Sequence, residues 1–254
     1  MGVLNVTPDS FSDGGRYFDH DSAVARGLAM VTEGADIIDV GGESSRPGAD
    51  PVTEEEEKRR VLPVVAALAP HVRVSIDTVK DGVAEAAVEA GATLINDIGA
   101  RLAPVAAACG VGWVAMHMQG KPSDMQVHPH YEDVVGEVVQ FLSDRAVEAG
   151  VAGVDEVWLD PGIGFGKSLS HNLALLAELD RVVALGYPVL VGTSRKHFLG
   201  LIGAGPDGDT LKVTDRLEGS LASSVWAMTK GASMVRAHDV AATVMAAQIV
   251  GPAS

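Results

Sequence analysis

Several residue types are scarce in this chain of 254 residues. It has one cysteine, Cys109, so no disulfide can form within the chain and nothing contradicts a reducing cytoplasm. Aromatic residues make up only 4%, so alanine, valine, leucine and isoleucine must fill the core. No apolar run approaches a membrane span, and no signal-peptide pattern precedes the first apolar segment. We therefore expect a cytoplasmic protein without a membrane partner.

Positive charge is also scarce, with 19 basic against 34 acidic residues and a formal net charge of -15. This balance argues against binding to nucleic acid or to an anionic membrane, since both require a basic face. Arg46, Arg195, Lys196 and Arg236 nevertheless all fall at predicted strand ends. Cations gathered at one cleft repel one another unless a ligand compensates, so they predict an anion site. Ordinary salt bridges are the alternative.

The length suits one large domain, predicted over residues 1–254, and the apolar content of 47% is typical of a globular chain. Short apolar runs alternate with amphipathic stretches, which predicts parallel strands joined by helices. The predicted strands lie near 3–6, 36–40, 72–77, 92–98, 112–118, 156–160, 188–193 and 232–237. Nearly every strand ends in polar residues, which favours a closed (β/α)8 TIM barrel over a doubly wound open sheet, where ligands gather at one switch point.

Two segments, 131–149 and 214–229, have the apolar spacing of amphipathic helices. The predicted core faces consist of Val134, Val138, Phe141 and Leu142 in the first segment and Leu217, Leu221, Val225 and Met228 in the second. A run of glutamates, 54–57, follows Thr53. We interpret it as the capped start of a helix rather than as a cation site.

Asp77, Asn96 and Asp160 end three predicted strands. Polar groups inside a barrel mouth are costly unless they hydrogen-bond a ligand with many N–H donors, and a heteroaromatic ring such as a pterin fits this requirement. Structural hydrogen bonding is the alternative for Asn96. Asn5, at the tip of the first strand, offers an amide oxygen for a Mg²⁺ ion that also contacts a diphosphate, or it serves a turn.

The run 162–168 resembles a nucleotide P-loop, but Pro161 stands where that motif needs a glycine. We interpret it as a tight loop whose backbone, at Gly164, lies close to a flat ligand. His128 and His130 have no third ligand at a recognisable spacing, so zinc is not expected. The glycine- and serine-rich loops 7–15 and 41–48 suit closure over a substrate.

Motifs along essentially the whole chain resemble those of the dihydropteroate synthases, pterin-binding barrel enzymes of folate biosynthesis. They lie at 4–15, 41–48, 75–78, 95–97, 116–120, 159–162, 194–196 and 236–239. The resemblance implies a transferase that condenses 6-hydroxymethyl-7,8-dihydropterin diphosphate with p-aminobenzoate, giving 7,8-dihydropteroate and pyrophosphate. It also implies Mg²⁺ as cofactor and a homodimer.

The resemblance also assigns roles to individual residues. It implies that the catalytic residues are Asp77, Asp160, Lys196 and Arg236. It implies that the pterin is held by Asp77, Asn96, Asp160 and Lys196 in a slot lined by Met116 and Phe165, and that the diphosphate and Mg²⁺ are held by Asn5, Arg236 and His238. Around p-aminobenzoate or its loops would lie Phe11, Ser45, Arg46, Pro47 and Ser194. Sulfonamide binding is a hypothesis that rests on Phe11, Ser45 and Pro47.

This chain departs from the family pattern at three places. His197 stands where the family commonly has a small or polar residue, the turn 98–101 differs, and Ser45 replaces the common threonine but keeps its hydroxyl. Two other functions are a pterin-binding protein without synthase activity and a pterin-dependent methyltransferase module. The first is disfavoured by the joint presence of Asn5, Asp77, Asn96, Asp160, Lys196 and Arg236, because a mere binder needs no diphosphate half. The second is disfavoured by the loop 45–48 and by residues 194–196, because a methyl-folate donor has no diphosphate to hold.

Overall fold

Eight parallel strands follow one another along the chain in the computed structural model, which describes residues 1–7, 20–44, 51–204 and 208–251. They are β1 (Gly2–Asn5), β2 (Ile37–Gly41), β3 (Arg73–Asp77), β4 (Leu94–Asp97), β5 (Gly112–Met116), β6 (Val157–Asp160), β7 (Leu190–Val191) and β8 (Met234–Val235). Each lies at a predicted position, so all the predicted strands are confirmed.

Helices lie between the strands and follow the last of them. They are α1 (His20–Thr32), α2 (Glu54–Leu68), α3 (Asp81–Glu89), α4 (Ala103–Cys109), α5 (Val134–Ala152), α6 (Leu169–Ala177), α7 (Leu179–Val183), α8 (His197–Ile202), α9 (Leu217–Thr229) and α10 (Val240–Val250). The predicted start of α2 is confirmed, because the Glu56 amide donates to the Thr53 hydroxyl at 3.3 Å. None of the helices in the described ranges is long and apolar enough to cross a membrane.

The strands close into a ring. Strands β1 to β6 pair in chain order, and β7 pairs with β8. Isolated parallel bridges join the two sheets at both edges, from Leu159 to Val189 and from Gly2 to Ala237. At the second edge the Val3 amide donates to the Ala237 carbonyl at 3.0 Å. The predicted (β/α)8 barrel is therefore confirmed, and a doubly wound open sheet is excluded.

Alternation along the strands places the polar residues of several strands inside the barrel. An apolar cluster fills part of the interior and consists of Ile37, Leu94, Val114 and Leu190, bordered by Trp158 and Met234. Side chains two positions apart on a strand share a face. The residues two positions after members of this cluster are Asp39, Asn96, Met116, Asp160 and Arg236. Their side chains consequently stand above the apolar cluster, at the carboxyl end of the barrel.

The predicted core face of α5 is confirmed, with Val134, Val138 and Leu142 buried and Phe141 packed at the edge of the main core. The core face predicted for 214–229 is wrong. The buried residues of α9 are Ser220, Ser224 and Ala227, whereas the four predicted residues, Leu217, Leu221, Val225 and Met228, are half-buried or exposed. Hydrogen bonding decides this orientation, because the Ser220 hydroxyl accepts from the Arg195 amide at 2.9 Å and Ser223 donates to Thr193 at 2.8 Å.

Asp97 follows Asn96 in the same motif but faces the opposite side of the sheet. Its buried carboxylate accepts hydrogen bonds from the backbone amides of Gly99, Arg101 and Leu102 at 2.5 to 2.8 Å. The Trp113 indole donates to the same carboxylate at 3.2 Å. Asp97 therefore holds the turn before α4 rather than a ligand.

We expect Asp97→Ala to lower the free energy of unfolding by about 3 kcal/mol, because buried donors lose their acceptor. Urea denaturation followed by circular dichroism measures this change. The control is Glu85→Ala, which removes an exposed carboxylate from α3 and should change stability by less than about 0.5 kcal/mol. An Asp97→Ala variant as stable as this control would contradict the assigned role.

Candidate active site

A buried carboxylate joins three strands at the centre of the barrel mouth. Asp39 on β2 is fully buried, and its Oδ2 accepts from Arg236 Nε at 2.6 Å and from Asn96 Nδ2 at 2.9 Å. Arg236 follows β8 and Asn96 lies on β4, so the contact spans the ring. The sequence analysis assigned no role to Asp39. Its position two residues after the apolar Ile37 was the available signal.

Asp77, the last residue of β3, also contacts the guanidinium of Arg236. Arg236 donates through Nη2 to Asp77 Oδ2 at 2.9 Å. Burial raises the pKa of Asp77 from 3.8 to about 7, although the positive charge of Arg236 opposes the shift. Asp39, Asp77, Asn96 and Arg236 thus form one polar cluster. The resemblance assigned Asp77 and Asn96 to the pterin and Arg236 to the diphosphate, and these roles stay predictions.

Asp160 and Lys196 form a second part of the mouth. Asp160 ends β6 and accepts from the Gly162 amide at 2.7 Å, while Lys196, after β7, donates to the Ile163 carbonyl oxygen. Burial raises the pKa of Asp160, and the positive charge of Lys196 opposes this shift. Burial lowers the pKa of Lys196 to about 8, with Asp160 acting against the decrease. The charges of Asp160 and Lys196 therefore stabilise each other where water is largely excluded.

The loop after β6 lies against Lys196. The ammonium of Lys196 lies 4.6 Å from the centre of the Phe165 ring. Gly164 has a φ of 86°, and an added Cβ there would approach Lys196 Cδ at 2.9 Å. The backbone at Gly164 therefore lies close to the Lys196 side chain, and its predicted approach to a flat ligand stays a prediction. Met116, at the end of β5, is buried and faces the same interior.

Lys167 supports this loop from within, a role that the sequence analysis missed. Its buried ammonium donates to the carbonyl oxygens of Gly162 and Phe165 at 3.0 and 2.9 Å, and it contacts His117 Nδ1 at 2.9 Å. Burial lowers the pKa of Lys167 to about 7 and that of His117 to about 3, and the Lys167 charge adds to the shift of His117. His117 therefore contacts the buried Lys167 within the barrel wall. The lysine at the end of the P-loop-like run was the signal for Lys167.

A third group lies after β7 and β8. Ser194 Oγ lies 3.0 Å from His238 Nδ1 and accepts from the His238 amide at 3.1 Å. Ser194 was predicted near p-aminobenzoate, but its partner here is a residue predicted to bind the diphosphate. Arg195 donates to Asp239 at 3.0 and 2.5 Å, so this arginine forms the ordinary salt bridge that was the alternative to an anion site.

Some of the predicted site residues fall outside the described residues. They are Phe11, Ser45, Arg46 and Pro47. Their roles around p-aminobenzoate and sulfonamides stay predictions.

Among the described residues, no cluster of three or more histidine, cysteine, aspartate or glutamate side chains could hold a metal ion. Asn5, half-buried at the end of β1, offers one neutral amide oxygen. Mg²⁺ commonly binds through one or two protein oxygens together with substrate phosphates and water. The donors present therefore fit a Mg²⁺ ion carried mainly by a diphosphate, and they do not fit a metal held by the protein alone.

A closed barrel with paired acids and cations at the carboxyl ends of its strands defines the class of this protein, a TIM-barrel enzyme for a polar, anionic small molecule. Residues 1–238 match the model of the pterin binding enzyme family. The chain is 48% identical to the dihydropteroate synthase of Mycobacterium leprae over 260 aligned residues, covering 99% of this chain and 92% of that protein.

Solved structures agree with this match. The Xanthomonas albilineans dihydropteroate synthase with 4-aminobenzoic acid superposes with a TM-score of 0.90 at 46% identity, covering 98% of this chain and 90% of the other. The same organism's enzyme in complex with 7,8-dihydropteroate gives a TM-score of 0.86 at 44% identity, with the same coverage of 98% and 90%. The chain belongs to the dihydropteroate synthases, transferases of the pterin-binding family.

Proposed function

We propose that the cluster at the barrel mouth carries out the family's reaction through the residues described above. That reaction condenses 6-hydroxymethyl-7,8-dihydropterin diphosphate with p-aminobenzoate, giving 7,8-dihydropteroate and pyrophosphate. The observation that carries the assignment of residues is a chain of hydrogen bonds in which Arg236 donates to Asp77 and Asp39 and Asn96 donates to Asp39. The pair of Asp160 and Lys196 lies beside it. The barrel interior thus holds hydrogen-bonding groups that suit a heterocycle. It also holds a cation, Arg236, that suits the diphosphate.

In this proposal the pterin lies between two acid–cation pairs, Asp77 with Arg236 and Asp160 with Lys196. Asp77, Asn96 and Asp160 accept hydrogen bonds from its N–H groups, and Lys196 donates to an acceptor atom. Phe165 and Met116 line the faces of the slot. Because the pKa of Lys196 is lowered only to about 8, most of this side chain remains protonated and able to donate at neutral pH.

The diphosphate is directed toward Arg236, Ser194 and His238. The guanidinium of Arg236 recognises phosphate oxygens strongly, and its contacts with Asp39 and Asp77 hold it in place. Asn5 would hold Mg²⁺ together with the diphosphate oxygens. The ion, when bound, would neutralise negative charge on the leaving group.

The covalent step needs no protein nucleophile. The bond between the exocyclic methylene carbon and the diphosphate oxygen breaks, and its electron pair leaves with the diphosphate. The lone pair of the p-aminobenzoate nitrogen then forms the new C–N bond, and this nitrogen loses a proton to solvent. Asp77 and Asp160, as carboxylates, stabilise the positive charge that develops on the pterin methylene.

The direct test mixes the purified chain with the pterin diphosphate, p-aminobenzoate and Mg²⁺ and measures pyrophosphate. We expect release that depends on p-aminobenzoate and decreases when Mg²⁺ is chelated. Tight pterin binding without release would favour a binding protein. Methyl transfer from a methylated folate, without pyrophosphate release, would favour the methyltransferase alternative.

The second part of the proposal is that the chain forms a homodimer through α9 and α10. These helices pack against each other, and they carry the exposed apolar residues Trp226, Met245 and Ile249. An exposed apolar patch of this kind is typical of a protein interface. The apolar half of α9 that was predicted to face the core would then be covered by the second copy.

We expect the double variant Met245→Glu, Ile249→Glu to elute as a monomer in size-exclusion chromatography with light scattering, whereas the parent chain elutes as a dimer. The control is Val151→Glu, an equally exposed apolar position on α5, which should leave the dimer intact. A dimer that survives the double substitution would place the interface elsewhere.

The proposal includes a cytoplasmic location, supported by Cys109, which is a free thiol in the structure. Cell fractionation tests it. Synthase activity should remain with the cytosolic fraction, and activity in an extracellular fraction would contradict it.

A further inference from the structure

The contacts of Asp39 determine how Asn96 is oriented. A guanidinium can only donate hydrogen bonds, and an ionised carboxylate can only accept them. The amide of Asn96 can turn either end toward a neighbour. Because Asp39 Oδ2 already accepts from Arg236 Nε at 2.6 Å, Asn96 meets this oxygen with its NH₂ group, at 2.9 Å.

The other end of the Asn96 amide is then left for a ligand. Asn96 Oδ1 accepts no hydrogen bond from the residues that the structure describes, and this oxygen remains partly accessible to solvent. This oxygen lies on a side chain that shares its face of β4 with Leu94, inside the barrel. The slot therefore presents an acceptor at this point.

We propose that Asp39 is a positioning residue that determines specificity: it orients Asn96 as an acceptor, so that the slot selects heterocycles with an N–H donor at this point. The inference rests on the proposed contact between Asn96 and the pterin. Without the carboxylate, the Asn96 amide has no fixed orientation and presents donor and acceptor in turn. Asp39 itself needs no contact with the substrate.

Calorimetry with 6-hydroxymethylpterin tests this proposal on the full chain, because this probe lacks the diphosphate and reports on the pterin slot alone. We expect Asp39→Leu, which keeps the branched shape but removes the acceptor, to weaken binding roughly 10- to 100-fold. Asp39→Asn keeps an amide oxygen for both donors and should restore affinity to within about 3-fold of the parent chain.

The matched control is Ser75→Ala. Ser75 pairs in register with Asp39 on the neighbouring strand, is equally buried, and its hydroxyl makes no hydrogen bond within the described part of the chain. Its removal should leave pterin affinity unchanged. If Ser75→Ala weakened binding as much as Asp39→Leu, general packing at this level would explain the effect and the proposal would be wrong.

A double-mutant cycle with Asn96→Ala separates this inference from the proposed function. If Asp39 acts through Asn96, then Asp39→Leu costs little further affinity once Asn96 is alanine. Fully additive losses would overturn the role of Asp39 while leaving that of Asn96 intact. Unchanged affinity in Asn96→Ala alone would instead remove the proposed contact between Asn96 and the pterin.

Neutron diffraction from the deuterated parent chain decides the case if Asp39→Leu does not fold. We expect both deuterons of the Asn96 amide on the nitrogen facing Asp39 Oδ2, and no deuteron on that carboxylate. An amide nitrogen directed into the slot would overturn the proposal.

Discussion

Replacing Lys196 with methionine will lower kcat/KM for the pterin diphosphate by roughly 10²- to 10³-fold. The substitution removes a half-buried cation and leaves the buried Asp160 with an uncompensated charge, and loss of one partner in such a pair typically costs about 2 to 5 kcal/mol. Steady-state measurement of pyrophosphate release gives this value. Lys196→Arg keeps the charge and should recover part of the activity, though less than all of it, because a planar guanidinium cannot replace the compact ammonium contact with its present partners.

The control for Lys196 is Lys230→Met. Lys230 lies over the Trp226 ring on the outside of α9 and pairs with Asp180, so its removal should leave kcat/KM unchanged. Activity of Lys196→Met within tenfold of the parent chain would contradict a role for Lys196 in the slot. The alkaline limb of the parent chain is expected near pH 8, where Lys196 loses its proton.

Asp77→Asn will lower kcat by roughly 10³-fold, because a neutral amide stabilises a developing cation far less than a carboxylate does. In the parent chain, activity should fall as the pH decreases through about 7, where Asp77 becomes protonated. The variant should lose this acidic limb. A pH profile that keeps the limb in Asp77→Asn would assign it to another group. Asp81→Asn, at an exposed position four residues later, is the matched control.

The same substitution separates activity from stability. The folded-state pKa of Asp77 is raised from 3.8 to about 7, so its protonated form favours folding, and this contribution is lost as pH rises between about 4 and about 7. Asp77→Asn should therefore unfold at pH 8 at a temperature no lower than that of the parent chain. A large loss of thermal stability at pH 8 would show that the ion pair with Arg236 outweighs the cost of burial.

Much of the site could be predicted because parallel strands bring their carboxyl ends to one rim. Asp77, Asn96, Asp160, Lys196 and Arg236 were identified as strand-end residues, and the structure places all of them at that rim. Arg195 satisfied the same criterion, but in the structure it pairs with Asp239. Its partner, Asp239, is distant in sequence, so the salt bridge between them could not be read from the pattern.

Periodicity identified the helices but not always the face that they bury. In α5 the apolar stripe faces the core, whereas in α9 the serines and Ala227 do. An apolar stripe shows only that one face avoids water, and it does not distinguish a core from a surface that another chain covers. The hydroxyls of Ser220 and Ser223 find buried partners, which lets a polar face point inward.

The sequence by itself determined the order and position of the strands, the closed barrel and the family, because these depend on local alternation and on motifs of adjacent residues. Only the tertiary structure decided which polar side chains contact one another. Asp39, Asn96 and Arg236 are separated by 57 to 197 positions along the chain, yet their side chains share hydrogen bonds. Burial beside this point raises the pKa of Asp77, since desolvation and the distance between charges are properties of the folded chain alone.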